Sequence, residues 1–160
     1  MKVVINSCYG GFSLSPLAIR EFAKLNKRKC YFFKTNYQEG GGFSEYISIS
    51  IEDAAETFSW TAFDVPNPNE VCRYPDNWHE LPDDEKQKYN DLYTQHSLAQ
   101  GREVERNDPN LIKAIKKLGT KKASGSCAEL RIIDIPDGTK YTIEEYDGLE
   151  HVAEAHQTWY

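Results

Sequence analysis

Apolar and polar positions alternate with two different periods along this chain, and the changes of period mark its elements. Lys2-Val3-Val4-Ile5-Asn6 is a short β-rich run that predicts a first strand. It leads into the turn-forming stretch Ser7-Cys8-Tyr9-Gly10-Gly11-Phe12-Ser13-Leu14. Ser15-Pro16 then reads as an N-cap with proline at the first helical position. Leu17, Ile19, Phe22, Ala23 and Leu25 follow on an imperfect helical face, and the cations of Asn26-Lys27-Arg28-Lys29 suit that helix's negative end. Cys30–Thr35 predicts a second strand, so the opening is strand–loop–helix–strand.

The middle of the chain has weaker signals. Gly40-Gly41-Gly42 marks a turn, and the alternating runs Tyr46–Ile51 and Phe58–Phe63 predict half-buried strands. Leu81–Glu85 opens a helix with acids in its first turn, and Tyr89, Leu92, Tyr93 and His96 recur at helical spacing. In the last third, Arg106-Asn107-Asp108-Pro109 is a cap followed by proline, with an apolar face of Leu111, Ile112, Ile115 and Leu118 closed by Gly119. Leu130–Ile135 and Lys140–Tyr146 predict strands joined in a hairpin by Pro136-Asp137-Gly138. After Asp147-Gly148, Leu149–His156 reads as a short helix. The expectation is a single α+β domain over 1–160, mostly antiparallel sheet with three to four helices, in which 38–100 is the segment least defined by pattern.

Composition narrows the function classes. Nineteen Lys and Arg against 25 Asp and Glu give a net charge of −6. This disfavours long DNA or RNA as a partner, because that affinity comes largely from neutralising phosphates. No apolar run is long enough for a membrane span, and the opening residues turn polar too soon for a signal peptide, which implies a cytoplasmic protein. Cys8, Cys30, Cys72 and Cys127 are scattered with no C-x-x-C pair, and His151 and His156 fall on different faces of a helix. Free thiols and no metal or cofactor are the expectation.

The stretch carrying most chemistry is Cys8-Tyr9-Gly10-Gly11-Phe12-Ser13 between strand and helix. Two glycines allow close backbone approach, the helix N-terminus favours an anion, and hydroxyls of Ser7, Ser13 and Ser15 offer further hydrogen bonds. A tight turn that needs glycine for its dihedral angles alone explains the same residues. The stretch is neither G-x-x-x-x-G-K-[ST] nor G-x-G-x-x-G. Among the cations, Arg28, Arg106 and Arg131 stand out because arginine grips phosphate bidentately.

Enzyme signatures are incomplete. A cysteine phosphatase places Arg six residues after its nucleophile, where this chain has Leu14, Asn36, Trp78 and Ile133. Two-histidine phosphodiesterases need two H-x-[ST] motifs, and only His156-Gln157-Thr158 is present. No G-x-S-x-G occurs. An enzyme on nucleotide or phosphorylated substrates, with Cys8 or a histidine as its catalytic group, stands as the alternative to a binding protein.

Four stretches together resemble a family of small phage and prophage proteins: Ile5–Ser15, Arg106–Leu111, Ala123–Ala128 running into Leu130–Asp137, and Ile143–Gly148 extended by Glu150–Trp159. The family is similar to the Thoeris anti-defence sponges, which sequester cyclic ADP-ribose-type immune signals without cleaving them. The resemblance covers the first and last thirds of the chain. It implies a non-catalytic protein of the infected bacterial cytoplasm that binds a cyclic ADP-ribose-type signal, in some members also cyclic oligonucleotides, and forms homo-oligomers, dimers that assemble into hexamers. Such a pocket needs aromatic faces for the base and Arg or N–H groups for phosphates. The ligand-binding candidates are then Cys8, Gly10, Gly11, Phe12, Ser13, Arg28, Arg106, Asn107 and Arg131, with Tyr89, Tyr93 or Phe12 to stack an adenine.

Overall fold

Among the described residues the strand-forming runs emerge as seven strands: β1 (Lys2–Asn6), β2 (Tyr31–Tyr37), β3 (Phe43–Ile49), β4 (Thr61–Phe63), β5 (Leu130–Asp134), β6 (Tyr141–Tyr146) and β7 (Leu149–Glu154). The helices are α1 (Pro16–Leu25), α2 (Ile51–Glu56), α3 (Pro68–Val71), α4 (Asp83–His96), α5 (Pro109–Leu118) and α6 (Thr120–Ala123). The computed structural model describes residues 1–37, 43–98 and 104–155, so the turn at Gly40-Gly41-Gly42 and the residues from His156 onward lie outside the described residues. The protein is α+β, and each of its named strand pairs is antiparallel. Among the described residues there are six α-helices rather than three or four, because short turns of helix at α2, α3 and α6 join the three long ones. The chain divides into two compact units, Met1–Asn26 with Gln100–Tyr160, and Lys27–Ala99.

In the first unit, β1 pairs with β5 in a register running from Lys2↔Asp134 to Asn6↔Leu130. Val3, Val4 and Ile5 are buried with Ala18, Ile19 and Ala23 of α1 and Leu111, Ala114 and Ile115 of α5. Both helices begin where the sequence predicts. Ser15 Oγ accepts from Ala18 N–H at 3.2 Å, and Asp108 accepts from the N–H groups of Asn110 and Leu111 at 2.7 and 3.0 Å. Each cap is worth about 1 kcal/mol.

The C-terminal part departs from expectation. β5 and β6 do not form a hairpin: Met1 and Ile135 exchange backbone hydrogen bonds, so the end of β5 is occupied by the chain start. β6 pairs instead with β7, and Leu149–Glu154 is a strand where a helix was expected. The cause is Asp147-Gly148. Both residues have positive φ, 50° and 86°, giving the two-residue turn whose twist matches a β-hairpin.

In the second unit, β2 is central, with β3 and β4 antiparallel on either side. Phe33, Tyr46, Phe63 and Cys72 form its core, with Tyr31, Val65, Leu92 and Tyr93 packed against them. Ring contacts are edge-to-face, for example Tyr46–Phe63 at 4.8 Å and Phe63–Tyr93 at 5.6 Å between centroids. The expected strand over Phe58–Phe63 shortens to Thr61–Phe63, and Phe58 is exposed. Among the described residues no helix is long and apolar enough to cross a membrane.

Candidate functional site

The first unit carries a cleft of about 480 Å³ between the Tyr9–Phe12 loop, Arg106, and the hairpin residues Glu145, Asp147, Gly148 and Glu150. The segments that bound it are joined by Asn6, the polar residue that closes the apolar run of β1 and is fully buried. The Asn6 amide donates to the carbonyls of Cys8 and Gly148, both at 2.6 Å, while its Oδ1 accepts from Glu129 N–H at 2.8 Å. One side chain thereby joins the start of the loop, the hairpin turn and the approach to β5. An unsatisfied buried amide here would cost about 1–3 kcal/mol per lost partner.

Arg106 and Glu150 form the second element. The two Nη atoms of Arg106 meet the two carboxylate oxygens of Glu150 at 3.0 Å each, and Glu150 also accepts from Asn6 N–H at 2.8 Å. The guanidinium lies 3.3 Å above the centre of the Phe12 ring, a cation–π contact. Arg106 is therefore not a free phosphate grip: its fork is filled by a carboxylate of the same chain. Phe12, 4% exposed, is equally committed beneath it.

The two glycines do different work. A Cβ on Gly10 would overlap the Cys127 carbonyl, so this glycine permits close packing. Gly11 has φ +80° and open space where a side chain would go, and it lines the cleft. Gly148 meets the same loop, since a Cβ there would lie 2.8 Å from the Tyr9 carbonyl oxygen. Among the described residues, the backbone N–H groups of Tyr9, Gly10, Gly11 and Phe12 donate to no protein acceptor. These four residues line the cleft, so donors without a protein partner lie beside it.

The remaining expected site residues lie elsewhere. Ser13 packs on Gly125, whose N–H donates to its carbonyl at 3.0 Å, and Ser15 caps α1 while donating to the Lys122 carbonyl at 2.6 Å. Cys8 Sγ contacts Asn6 Oδ1 and the Cys127 carbonyl, both at 3.3 Å; neither oxygen is a base that could take up its proton. Asn107 is exposed in the turn before α5 and does not line the cleft. Arg131 is exposed and paired at 3.1 Å with Glu129, whose carboxyl this hydrogen bond holds below its usual range. Arg28 belongs to the other unit, where it binds Asp64 through Nε and Nη2 at 3.0 and 2.9 Å and caps α4 through the Gln95 carbonyl at 2.8 Å. Tyr89 and Tyr93 are packed against Trp78, and against Phe63 and Tyr74. The aromatic ring available at the cleft is instead Tyr9, 67% exposed.

The cleft's charges run against the expected cationic cradle: one arginine faces the three carboxylates Glu145, Asp147 and Glu150. Because Arg106 and Glu150 neutralise one another, the field at the loop comes from Glu145 and Asp147, which are exposed and partly screened by solvent. His96 bonds Asp64 at 2.9 Å in the second unit, and His151 pairs with Glu144 at 3.0 Å across the β6–β7 hairpin. Neither histidine contacts Cys8. No protein-family model, curated protein or solved structure matches the chain. The cleft must therefore be read from its own chemistry.

Asn6, Tyr9, Glu145, Glu150 and the Asp147-Gly148 turn are the site residues that sequence reasoning missed. The signal for Asn6 was a lone amide ending an apolar strand; that for the turn was Asp-Gly, a strong two-residue hairpin signature.

Proposed function

We propose that the protein binds a cyclic ADP-ribose-type nucleotide signal in the cleft of its first unit and sequesters it without cleavage, as a homo-oligomer acting in the infected bacterial cytoplasm. The observation that carries this reading is convergence. The stretches of the chain that resemble the phage sponge family all fall in the first unit, and three of them contribute side chains or backbone to one cleft: Gly10, Gly11 and Phe12; Arg106; and Glu145 to Glu150. The cleft suits a compact polar ligand better than a polymer. Its unused N–H groups would take phosphate oxygens, its exposed carboxylates sugar hydroxyls, and the Tyr9 ring a base face.

The test is to incubate the protein with cyclic ADP-ribose isomers and cyclic oligonucleotides, remove it, denature it and chromatograph what is released. Depletion from solution with return of the intact nucleotide supports the reading. A new product would show catalysis, and failure to deplete any member of the panel would overturn nucleotide binding. Gly11→Glu places a carboxylate into the open space of the cleft. A folded Gly11→Glu variant that captures ligand as well as the parent would remove the loop from the site.

A further inference from the structure

We propose that Cys8 and Cys127 are a thiol pair that closes into a disulfide when the protein meets a peroxide, tethering the Tyr9–Phe12 loop to the turn opposite. The β1–β5 ladder runs one step beyond its strands, because Ser7 N–H donates to the Glu129 carbonyl at 2.8 Å. That register sets Cys8 beside Ala128 and one residue from Cys127. Two contacts bring the two residues together at the start of the loop. Cys8 Sγ lies 3.3 Å from the Cys127 carbonyl oxygen, and a Cβ built on Gly10 would lie 2.9 Å from Cys127 Cβ. Cys127 is exposed and Cys8 half-buried, so both are open to a small oxidant. Cys72 contrasts with them: it is fully buried, and that burial pushes its thiol up to about 11.

The chemistry balances with peroxide as the oxidant. The Cys127 sulfur attacks a peroxide oxygen, an S–O bond forms as the O–O bond breaks, and one water leaves. The Cys8 sulfur then attacks the sulfenic sulfur; the S–S bond forms, the S–O bond breaks and a second water leaves. Two thiols are oxidised and one hydrogen peroxide is reduced to two waters, the two thiol protons ending in water. The tether would add a covalent link at the place where Gly10 already packs on Cys127.

The experiment uses the full chain, hydrogen peroxide and mass spectrometry under non-reducing conditions. Trypsin separates the four cysteines, with Cys8 in Val3–Arg20 and Cys127 in Ala123–Arg131. The expected result is loss of two of the four titratable thiols in a monomeric species, with these two peptides joined at a mass two hydrogens below their sum and released by dithiothreitol. Cys8→Ser should abolish the joined peptide and leave Cys127 as a sulfenic acid trapped by dimedone. The proposal fails if peroxide carries Cys127 to sulfinic acid without joining it to Cys8. It also fails if the joined peptides contain Cys30, or if the link forms between two molecules. None of these outcomes depends on nucleotide binding.

Discussion

Replacing Glu150 with alanine tests the idea that a buried ion pair, rather than glycine chemistry, holds the cleft together. The Glu150 and Arg106 side chains are 7% and 14% exposed, and their two 3.0 Å contacts leave no room for water to take over either partner. Removing one member of such a pair strands the other and costs about 3–5 kcal/mol. Asn6 N–H loses its acceptor at the same time, a further penalty of about 1–3 kcal/mol. The Phe12 ring beneath the guanidinium offsets part of this by about 0.5–2 kcal/mol. Glu150→Ala should therefore destabilise the first unit by about 3.5–6 kcal/mol. Glu150→Gln keeps an acceptor for Asn6 and should lose about 1.5–3 kcal/mol. Arg106→Met combined with Glu150→Ala removes both charges and should cost much less than the sum of the single changes. The assay is hydrogen exchange at the amides of the β1–β5 ladder in the full chain, which report this unit and not the other, supported by urea unfolding. A loss under about 1 kcal/mol for Glu150→Ala, or single effects that add to the double within about 0.5 kcal/mol, would refute the reasoning.

Three further outcomes follow from the same geometry. Gly10→Ala should disrupt the loop because the new Cβ meets the Cys127 carbonyl, whereas Gly11→Ala meets open space and should cost only the roughly 1–2 kcal/mol of a positive φ; comparable losses in thermal unfolding would contradict this. Burial pushes the Asp64 carboxyl up, but the His96 and Arg28 hydrogen bonds together outweigh it and leave the group below its ordinary value. Its contribution to stability is then present above the unfolded value of about 3.9 and lost as pH falls through the folded one, so the stability gap between the parent and Asp64→Asn should close below about pH 4. Parallel acid-unfolding curves for the two would contradict that. Because the exposed charges beside the loop are Glu145 and Asp147, an anionic ligand should bind more tightly as salt is raised from about 0.01 to 0.15 M, where screening shortens from about 30 to 8 Å. Calorimetric affinity that falls steadily with salt would indicate a cationic site instead.

Local rules written into single positions were legible in the sequence. Ser15-Pro16 and Asp108-Pro109 start their helices as expected, because a capping oxygen followed by a proline specifies a helix start without reference to the rest of the fold. Pairings between distant strands were not. The partner of β5 is β1, 124 or more residues away, and nothing in Leu130–Asp134 favours it over the neighbouring β6. Leu149, Val152 and Ala153 fall at helical spacing within the expected helix Leu149–His156, but that pattern is too short to outweigh the Asp147-Gly148 turn before it. Arg28 and Arg131 were chosen for what arginine does with phosphate. Each already has a carboxylate partner, Asp64 or Glu129, that no spacing rule connects to it.

The same distinction bears on how the cleft should be understood. Reading Gly10-Gly11 as an anion cradle and as a tight turn were alternatives in the sequence, but the two glycines divide between them. Gly10 is fixed by its neighbour Cys127, and Gly11 faces the cleft. Arg106 supports the loop from below through Phe12, and its charge is consumed by Glu150 rather than offered to a ligand. What this arrangement leaves for recognition is backbone N–H groups and an exposed tyrosine, with carboxylates at the rim. A site of that kind discriminates by shape and hydrogen-bond pattern more than by charge, since every unit of negative charge on a ligand works against Glu145 and Asp147. Affinity for a diphosphate would then have to come from enclosure and from donors held in place before the ligand arrives, which is the work that Asn6, Arg106 and Glu150 perform in this fold.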